Sequence, residues 1–233
     1  MKLKMNIQLF GGNGNSSTGK RSSGSGTQKL TQDEQNAIEY YASGDGMGIN
    51  NLLRGRYGFT ENDLDTQDRK IIKDLDSALN HNVGEQILYR SVDASAVFGN
   101  ISDTDFENLR DELNYNTFSK GKGNYSKIIA NKTNDIINSA TDKSFVDKGY
   151  VSTTRDLTIA ENWGGFTGSD RPIVMKIKTS NKTKGADISK ATKHLRQIES
   201  QNPQKETLLA RNQKFKVDKI YGRNGLVYVE VKM

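Results

Sequence analysis

Apolar residues recur at helical spacing through the first third of the chain, and β-rich runs dominate after it. Thr31 and Glu34 form a capping-box pattern ahead of Ala37, Ile38 and Tyr41, which predicts a first helix. A second passes through Ile49, Leu52 and Leu53. Residues 62–80 predict a third, because Leu64, Ile71, Ile72, Leu75 and Leu79 share one face and charges occupy the other. Residues 86–92 then predict a strand, followed by helices around 106–113 and 125–137 and a half-buried strand over 173–179. Residues 181–203 form a long polar stretch, with Ile188, Ala191, Leu195 and Ile198 at helical spacing. The chain closes on a hairpin, with runs 215–221 and 226–232 flanking Gly222-Arg223-Asn224-Gly225. Helices first and mostly antiparallel strands afterwards predict an α+β fold, although pattern alone does not choose its arrangement.

Composition narrows the chemistry. At 233 residues the chain is expected to hold one catalytic domain, residues 31–233, behind a flexible tail, residues 1–30. The tail is dominated by Gly, Ser, Asn and Thr, too polar to offset the entropy of ordering. There is no cysteine, and the two histidines, His81 and His194, do not make a usual metal cluster, so no metal is expected. Catalysis is left to carboxylate, amide, hydroxyl and guanidinium groups. The net charge of +6 suggests nucleic acid at first sight, but Lys2, Lys4, Lys20, Arg21 and Lys29 lie in the tail with no acid. That leaves 29 of the 34 Lys and Arg against 28 Asp and Glu, so the domain itself is nearly neutral. The apolar stretch at residues 5–10 is too short and polar for a membrane span, and no signal-peptide cleavage site follows it.

Three short segments carry candidate chemistry. Gln204-Lys205-Glu206 opens a β-rich run; on a strand Gln204 and Glu206 would project to one face and Lys205 to the other. Leu88-Tyr89-Arg90-Ser91-Val92 is an apolar strand holding one arginine, costly to bury unless an anion such as a phosphate receives it. Between them lies Gly149-Tyr150-Val151-Ser152-Thr153-Thr154. A Ser-Thr-Thr run is common in ordinary strands and by itself reads as structural. Asn50 and Arg54, four apart, share a helix face, though Asn50 has an alternative as a helix cap. Residues 163–171 form a glycine-rich loop, Trp163-Gly164-Gly165-Phe166-Thr167-Gly168-Ser169-Asp170-Arg171. It lacks the strand-turn-helix Gly-x-Gly-x-x-Gly pattern of Rossmann dinucleotide sites.

The order arginine, Ser-Thr-Thr, Gln-x-Glu resembles the arginine–serine–glutamate class of mono-ADP-ribosyltransferases. The resemblance, closest to the Rho-modifying clostridial exoenzymes and related phage proteins, spans about residues 30–233. It implies two packed, mostly antiparallel sheets with helices around an NAD-binding cleft. It implies NAD as substrate, with Glu206 as the catalytic carboxylate on the nicotinamide ribose, Ser152 bracing it and Gln204 completing the motif. It further implies that Arg90, Asn50, Arg54 and Arg171 contact the dinucleotide, and that Phe166 stacks on nicotinamide with Trp163 as a rival.

The chemistry suits this assignment. The nicotinamide–ribose bond of NAD already carries a cationic leaving group, so an anion near the ribose and clamps on the dinucleotide are the useful protein groups. An amide at position 204 cannot act as a base, which disfavours an arginine acceptor. Some exoenzymes carry an aromatic residue three positions before the glutamine; here that position is Gln201, unlike a small-GTPase modifier. Residues 181–203 are expected to serve acceptor recognition.

The expected activity is therefore transfer of ADP-ribose from NAD to a host macromolecule, foremost a host protein, with nucleic acid as the alternative acceptor. The start Asn6-Ile7-Gln8-Leu9-Phe10-Gly11-Gly12 resembles the beginnings of structural proteins in phages of Gram-positive bacteria. This implies a phage-encoded enzyme acting in the host cytoplasm, carried on a virion by its tail and not membrane-bound. An NAD glycohydrolase and an inactive virion structural or adaptor protein retaining the fold are the alternatives.

Overall fold

The computed structural model describes residues 30–163, 169–201 and 203–233. The tail expectation for residues 1–30, except Leu30, and the Phe166 assignment lie outside the described residues.

The N-terminal helices form where the polar pattern supplies their caps. In α1 (Gln32–Tyr40) the Glu34 N–H donates to the Thr31 hydroxyl at 3.3 Å, and the Thr31 N–H donates to the Glu34 carboxylate at 2.8 Å. Two donors that a helix start leaves orphaned are thereby satisfied. A π-helical segment, Tyr41–Asp45, runs on directly into α2 (Gly46–Leu53), so the two predicted helices are one continuous helical stretch. The widened turn tolerates only glycine at position 46: an added Cβ would lie 2.5 Å from the Tyr41 carbonyl oxygen. Widened turns of this kind re-aim side chains near functional sites. Helix α3 (Thr66–Ala78) has its own capping box, Asp65 with Asp68. Ala37, Ile38, Ile49, Leu53, Ile72, Leu75, Ala78 and Leu79 bury one shared face.

Strand β1 (Ile87–Asp93), short α4 (Ser95–Phe98), α5 (Asp103–Tyr115), α6 (Asn124–Ala140), β2 (Ser144–Asp147), β3 (Val151–Thr154) and α7 (Leu157–Trp163) follow. The chain finishes with β4 (Pro172–Lys178), β5 (Gly185–Asp187), α8 (Lys193–Gln201), β6 (Glu206–Leu209), β7 (Gln213–Arg223) and β8 (Leu226–Lys232). Among these strands only β4 and β8 pair in parallel; every other pairing is antiparallel. The β7–β8 turn places Asn224 at φ 53° and Gly225 at φ 76°, the left-handed pair a two-residue hairpin requires.

The α+β class is as expected, and the sheet arrangement is a refinement of it. The eight strands form one hydrogen-bonded sheet in the order β2-β7-β8-β4-β1-β3-β6-β5, where two sheets were expected. The join between β1 and β3 is nevertheless a single register pair, Tyr89 with Thr154, whereas β1 and β4 align along seven pairs. The sheet thus has a five-stranded half and a three-stranded half meeting at one point. Two main cores support them, and the larger also takes in Val151 of β3 and Leu209 of β6. Phe106, Leu109, Ile173, Ile177, Phe215, Val217 and Val229 build the larger one with α4, α5 and α6. Tyr150, Ile188, Leu195 and Leu208 join the N-terminal helices in the other. No described helix is long and apolar enough to cross a membrane.

Candidate active site

Strands β3 and β6 bring the Ser-Thr-Thr and Gln-x-Glu segments together. Their register sets Ser152 opposite Leu208 and Thr154 opposite Glu206, so Ser152 and Glu206 are diagonal neighbours on one face. The Ser152 hydroxyl donates to Glu206 Oε1 at 2.5 Å. The next two hydroxyls also cross the gap, Thr153 donating to the Thr207 carbonyl at 2.5 Å and Thr154 to the Gln204 carbonyl at 2.7 Å. All three side chains of the run therefore tie β3 to the segment carrying the carboxylate, which a merely strand-forming run need not do.

The expected alternation across Gln204-Lys205-Glu206 does not hold. Strand β6 begins at Glu206, and Lys205 sits in the left-handed region at φ 48°. The cause is Glu199 on α8. Its carboxylate accepts from the Gln204 N–H at 2.8 Å and the Lys205 N–H at 3.0 Å, donors that a continuing strand would have spent on the sheet. Gln204 accordingly precedes Glu206 on irregular chain, outside the strand.

Burial pushes the Glu206 carboxyl above its usual range, against the Ser152 hydrogen bond, and the negative charges of Glu199 and Asp187 add to the rise. Tyr41, at the start of the π-helical turn, faces the same region. Its hydroxyl is pushed up to about 12 by burial and then by the charge of Glu206, with Arg90 opposing. Tyr41 therefore stands near both halves of the site, and the sequence pattern marked it only as a buried helical position.

Asn50 in α2 and Arg54, one residue past its end with its N–H donating to the Asn50 carbonyl at 3.0 Å, together grip the chain between β2 and β3. Asn50 Oδ1 accepts from the Tyr150 N–H at 2.8 Å, while Nδ2 donates to the Tyr150 carbonyl at 3.2 Å and to the Tyr41 hydroxyl at 2.8 Å. A side-chain amide thus pairs with a backbone amide as a strand neighbour would. Arg54 Nε and Nη2 donate to Asp147 at 2.7 Å and 3.0 Å, and Nη2 also donates to the Tyr150 carbonyl at 3.1 Å. Gly149 lies beneath both side chains; a Cβ there would sit 2.7 Å from Asn50 Oδ1 and 3.0 Å from the Arg54 guanidinium. The pair expected to hold dinucleotide is engaged with the chain two residues before Ser152. On the far side, the Tyr150 hydroxyl lies 2.8 Å from Asp76, which Arg211 in turn grips at 2.8 Å and 3.0 Å.

Arg90 receives its anion from the protein: Nη1 lies 3.7 Å from Asp147 Oδ2. Burial pushes its guanidinium pKa down, Asp147 holds it up, and the cations Arg54 and Arg56 press it down again. Arg54 and Arg90 therefore converge on one carboxylate, Asp147, which no sequence motif pointed to. Its only sequence signal is a position two residues before Gly149.

Arg171 is not brought into this group. Its guanidinium donates to the Ile101 carbonyl and pairs with Asp93 at 3.4 Å and Asp103 at 3.5 Å. Asp93 lies about 13 Å along β1 from Tyr89 at the usual strand rise. Trp163 ends α7. Among the described residues no group of three or more His, Asp or Glu side chains is placed to hold a metal ion.

The family model for the ADP-ribosyltransferase exoenzyme matches residues 16–229. Three solved structures show the same architecture. An ADP-ribosyltransferase from Clostridium botulinum is 25% identical, with TM-score 0.58 over 88% of this chain and 87% of that one. The Clostridium limosum C3 exoenzyme is 22% identical, with TM-score 0.58 over 88% and 86%. A protein from Staphylococcus aureus, solved with NAD, is 20% identical, with TM-score 0.60 over 88% and 87%. A search of curated proteins finds no match. The Arg90, Ser152 and Glu206 segments all fall inside the matched span, and the chain belongs to the ADP-ribosyltransferase exoenzyme family, whose members are NAD-dependent ADP-ribosyltransferases.

Proposed function

We propose that the protein transfers one ADP-ribosyl group from NAD to a side chain other than arginine on a host protein, releasing nicotinamide, with Glu206, Ser152 and Gln204 as the catalytic group. The observation that carries this reading is the Ser152–Glu206 hydrogen bond, 2.5 Å long and aligned by the strand register. A carboxylate fixed in one rotamer, part-buried and raised in pKa, is a preorganised anion for the positive charge that grows on the ribose as the glycosidic bond stretches. Arg90, with Arg54 and Arg56 beside it, supplies positive charge for the pyrophosphate. The intact pair of Ser152 and Glu206 counts against a structural protein that merely retains the fold.

The amide at Gln204 supports a non-arginine acceptor, because it cannot take a proton from an incoming guanidinium. Residues 181–203 are proposed to recognise the acceptor; α8 within them reaches the site through Glu199. The resemblance of the N-terminal residues to phage structural proteins supports a phage-encoded enzyme that acts in the host cytoplasm. Purified particles lacking the protein would remove that part.

The test uses NAD labelled in its adenylate part, incubated with lysate of a Gram-positive host and with wild type or Glu206→Gln. Protease-sensitive label that disappears in the variant is the expected result. Nuclease-sensitive label would move the acceptor to nucleic acid, free ADP-ribose alone would make the protein a glycohydrolase, and unchanged NAD would overturn the enzymatic reading.

A further inference from the structure

Asp147 belongs to none of the motifs, yet its carboxylate meets two of the site's cations at once. Oδ1 accepts from Arg54 Nε at 2.7 Å and from the Gly149 N–H at 3.0 Å. Oδ2 accepts from Arg54 Nη2 at 3.0 Å and lies 3.7 Å from Arg90 Nη1. The three side chains are about equally enclosed, with 18%, 20% and 19% of Arg54, Arg90 and Asp147 exposed. Arg54 and Asp147 meet in a two-point fork, the geometry that fixes direction as well as distance. That fork leaves the carboxylate one open side, which faces Arg90.

We infer that Asp147 is a positioning residue for NAD: held by Arg54 and the Gly149 N–H, it aims the Arg90 guanidinium. The inference rests on Arg90 being a dinucleotide clamp, as proposed above. Two effects of Asp147 oppose each other. As an anion it repels pyrophosphate; as an anchor it stops the two neighbouring guanidinium groups of Arg54 and Arg90 from swinging apart by mutual repulsion. The bidentate, partly enclosed geometry makes anchoring the larger effect, since a clamp displaced by a fraction of an ångström loses most of its value.

The two effects predict opposite signs, which makes the substitution decisive. Asp147→Asn keeps the shape and removes the charge. Measured by NAD titration and steady-state nicotinamide release, it is expected to raise Kd and KM for NAD about tenfold and change kcat by less than about threefold. Asp147→Glu keeps the charge and shifts it by one methylene, so a smaller rise of about threefold is expected. Unchanged or tighter NAD binding in Asp147→Asn, with a wild-type melting temperature, would overturn the inference. A fall in kcat at constant KM would also overturn it, showing a purely structural role through β3. If Asp147→Asn does not fold, wild-type affinity in Asp147→Glu is the overturning result. Wild type that binds NAD separates this failure from failure of the site reading, because an enzyme that binds none removes both.

Discussion

The five-stranded half of the sheet is held by registers of four to seven pairs between neighbours, and apolar side chains fill most of its interior, with Ser91, Glu112 and Thr133 buried as well. The three-stranded half meets it at the single pair Tyr89–Thr154, and side-chain hydroxyls and carboxylates supply much of its bonding. Arg90 belongs to the first half, Ser152 and Glu206 to the second. The groups proposed to act on one molecule are thus mounted on two sets of strands joined by a single register pair, by Val151 and Leu209 packing into the larger core, and by α2. Asn50 and Arg54 clasp residues 147–150, the segment crossing from one half to the other. Side chains that look like substrate contacts in the sequence therefore hold the two halves in relation.

The widest separation of the halves comes from Glu206→Gln, expected to slow nicotinamide release on the order of 10²–10³-fold, the scale of losing one preorganised electrostatic group. Ser152→Ala frees the carboxylate from its rotamer without removing it, and a loss of about tenfold in kcat is expected from steady-state release assays. Gly149→Ala attacks the join itself. Its new Cβ would press on Asn50 and Arg54, and a stability loss of about 1–3 kcal/mol is expected in denaturant melts, as for other overpacked sites.

A subtler change is a shift in pH dependence. The Glu206 carboxyl is raised chiefly by burial, so activity requiring its anion should fall, as pH drops, at values above the ordinary carboxylate range. Glu199→Gln removes one like charge and should move that acid limb to lower pH. The linked stability has the opposite sense: a folded-state carboxyl held above its unfolded pKa stabilises the protein in its protonated form, and that contribution is lost as pH rises through the folded value. Glu206→Gln should therefore melt slightly higher than wild type at neutral pH.

Local signals were legible and long-range ones were not. The Thr31–Glu34 cap, the stripe of α3, the β1 run and the Asn-Gly hairpin each depend on residues a few positions apart, and each is present. The Ser-Thr-Thr and Gln-x-Glu pairing was visible as order along the chain, because the segments carry the residue types the reaction needs. The strand alternation at Gln204 failed through Glu199, a carboxylate five residues upstream whose capture of two N–H groups leaves no periodic trace. The helical spacing of Ile188 and Ala191 also misled; helix α8 starts only at Lys193, and both residues pack from irregular chain. Asn50 lies 100 positions from Tyr150, and Asp147 sits 93 from Arg54, so nothing local marks either contact.

If the three-stranded half breaks the bond while the five-stranded half holds the dinucleotide, binding and chemistry should separate between two single variants. NAD affinity and the single-turnover rate of nicotinamide release, measured side by side in Glu206→Gln and Arg90→Ala, decide the matter. Glu206→Gln is expected to keep its Kd within about threefold and lose the rate, whereas Arg90→Ala loses affinity about tenfold or more and keeps most of the rate at saturating NAD. Loss of the same parameter in both variants would refute this division of labour.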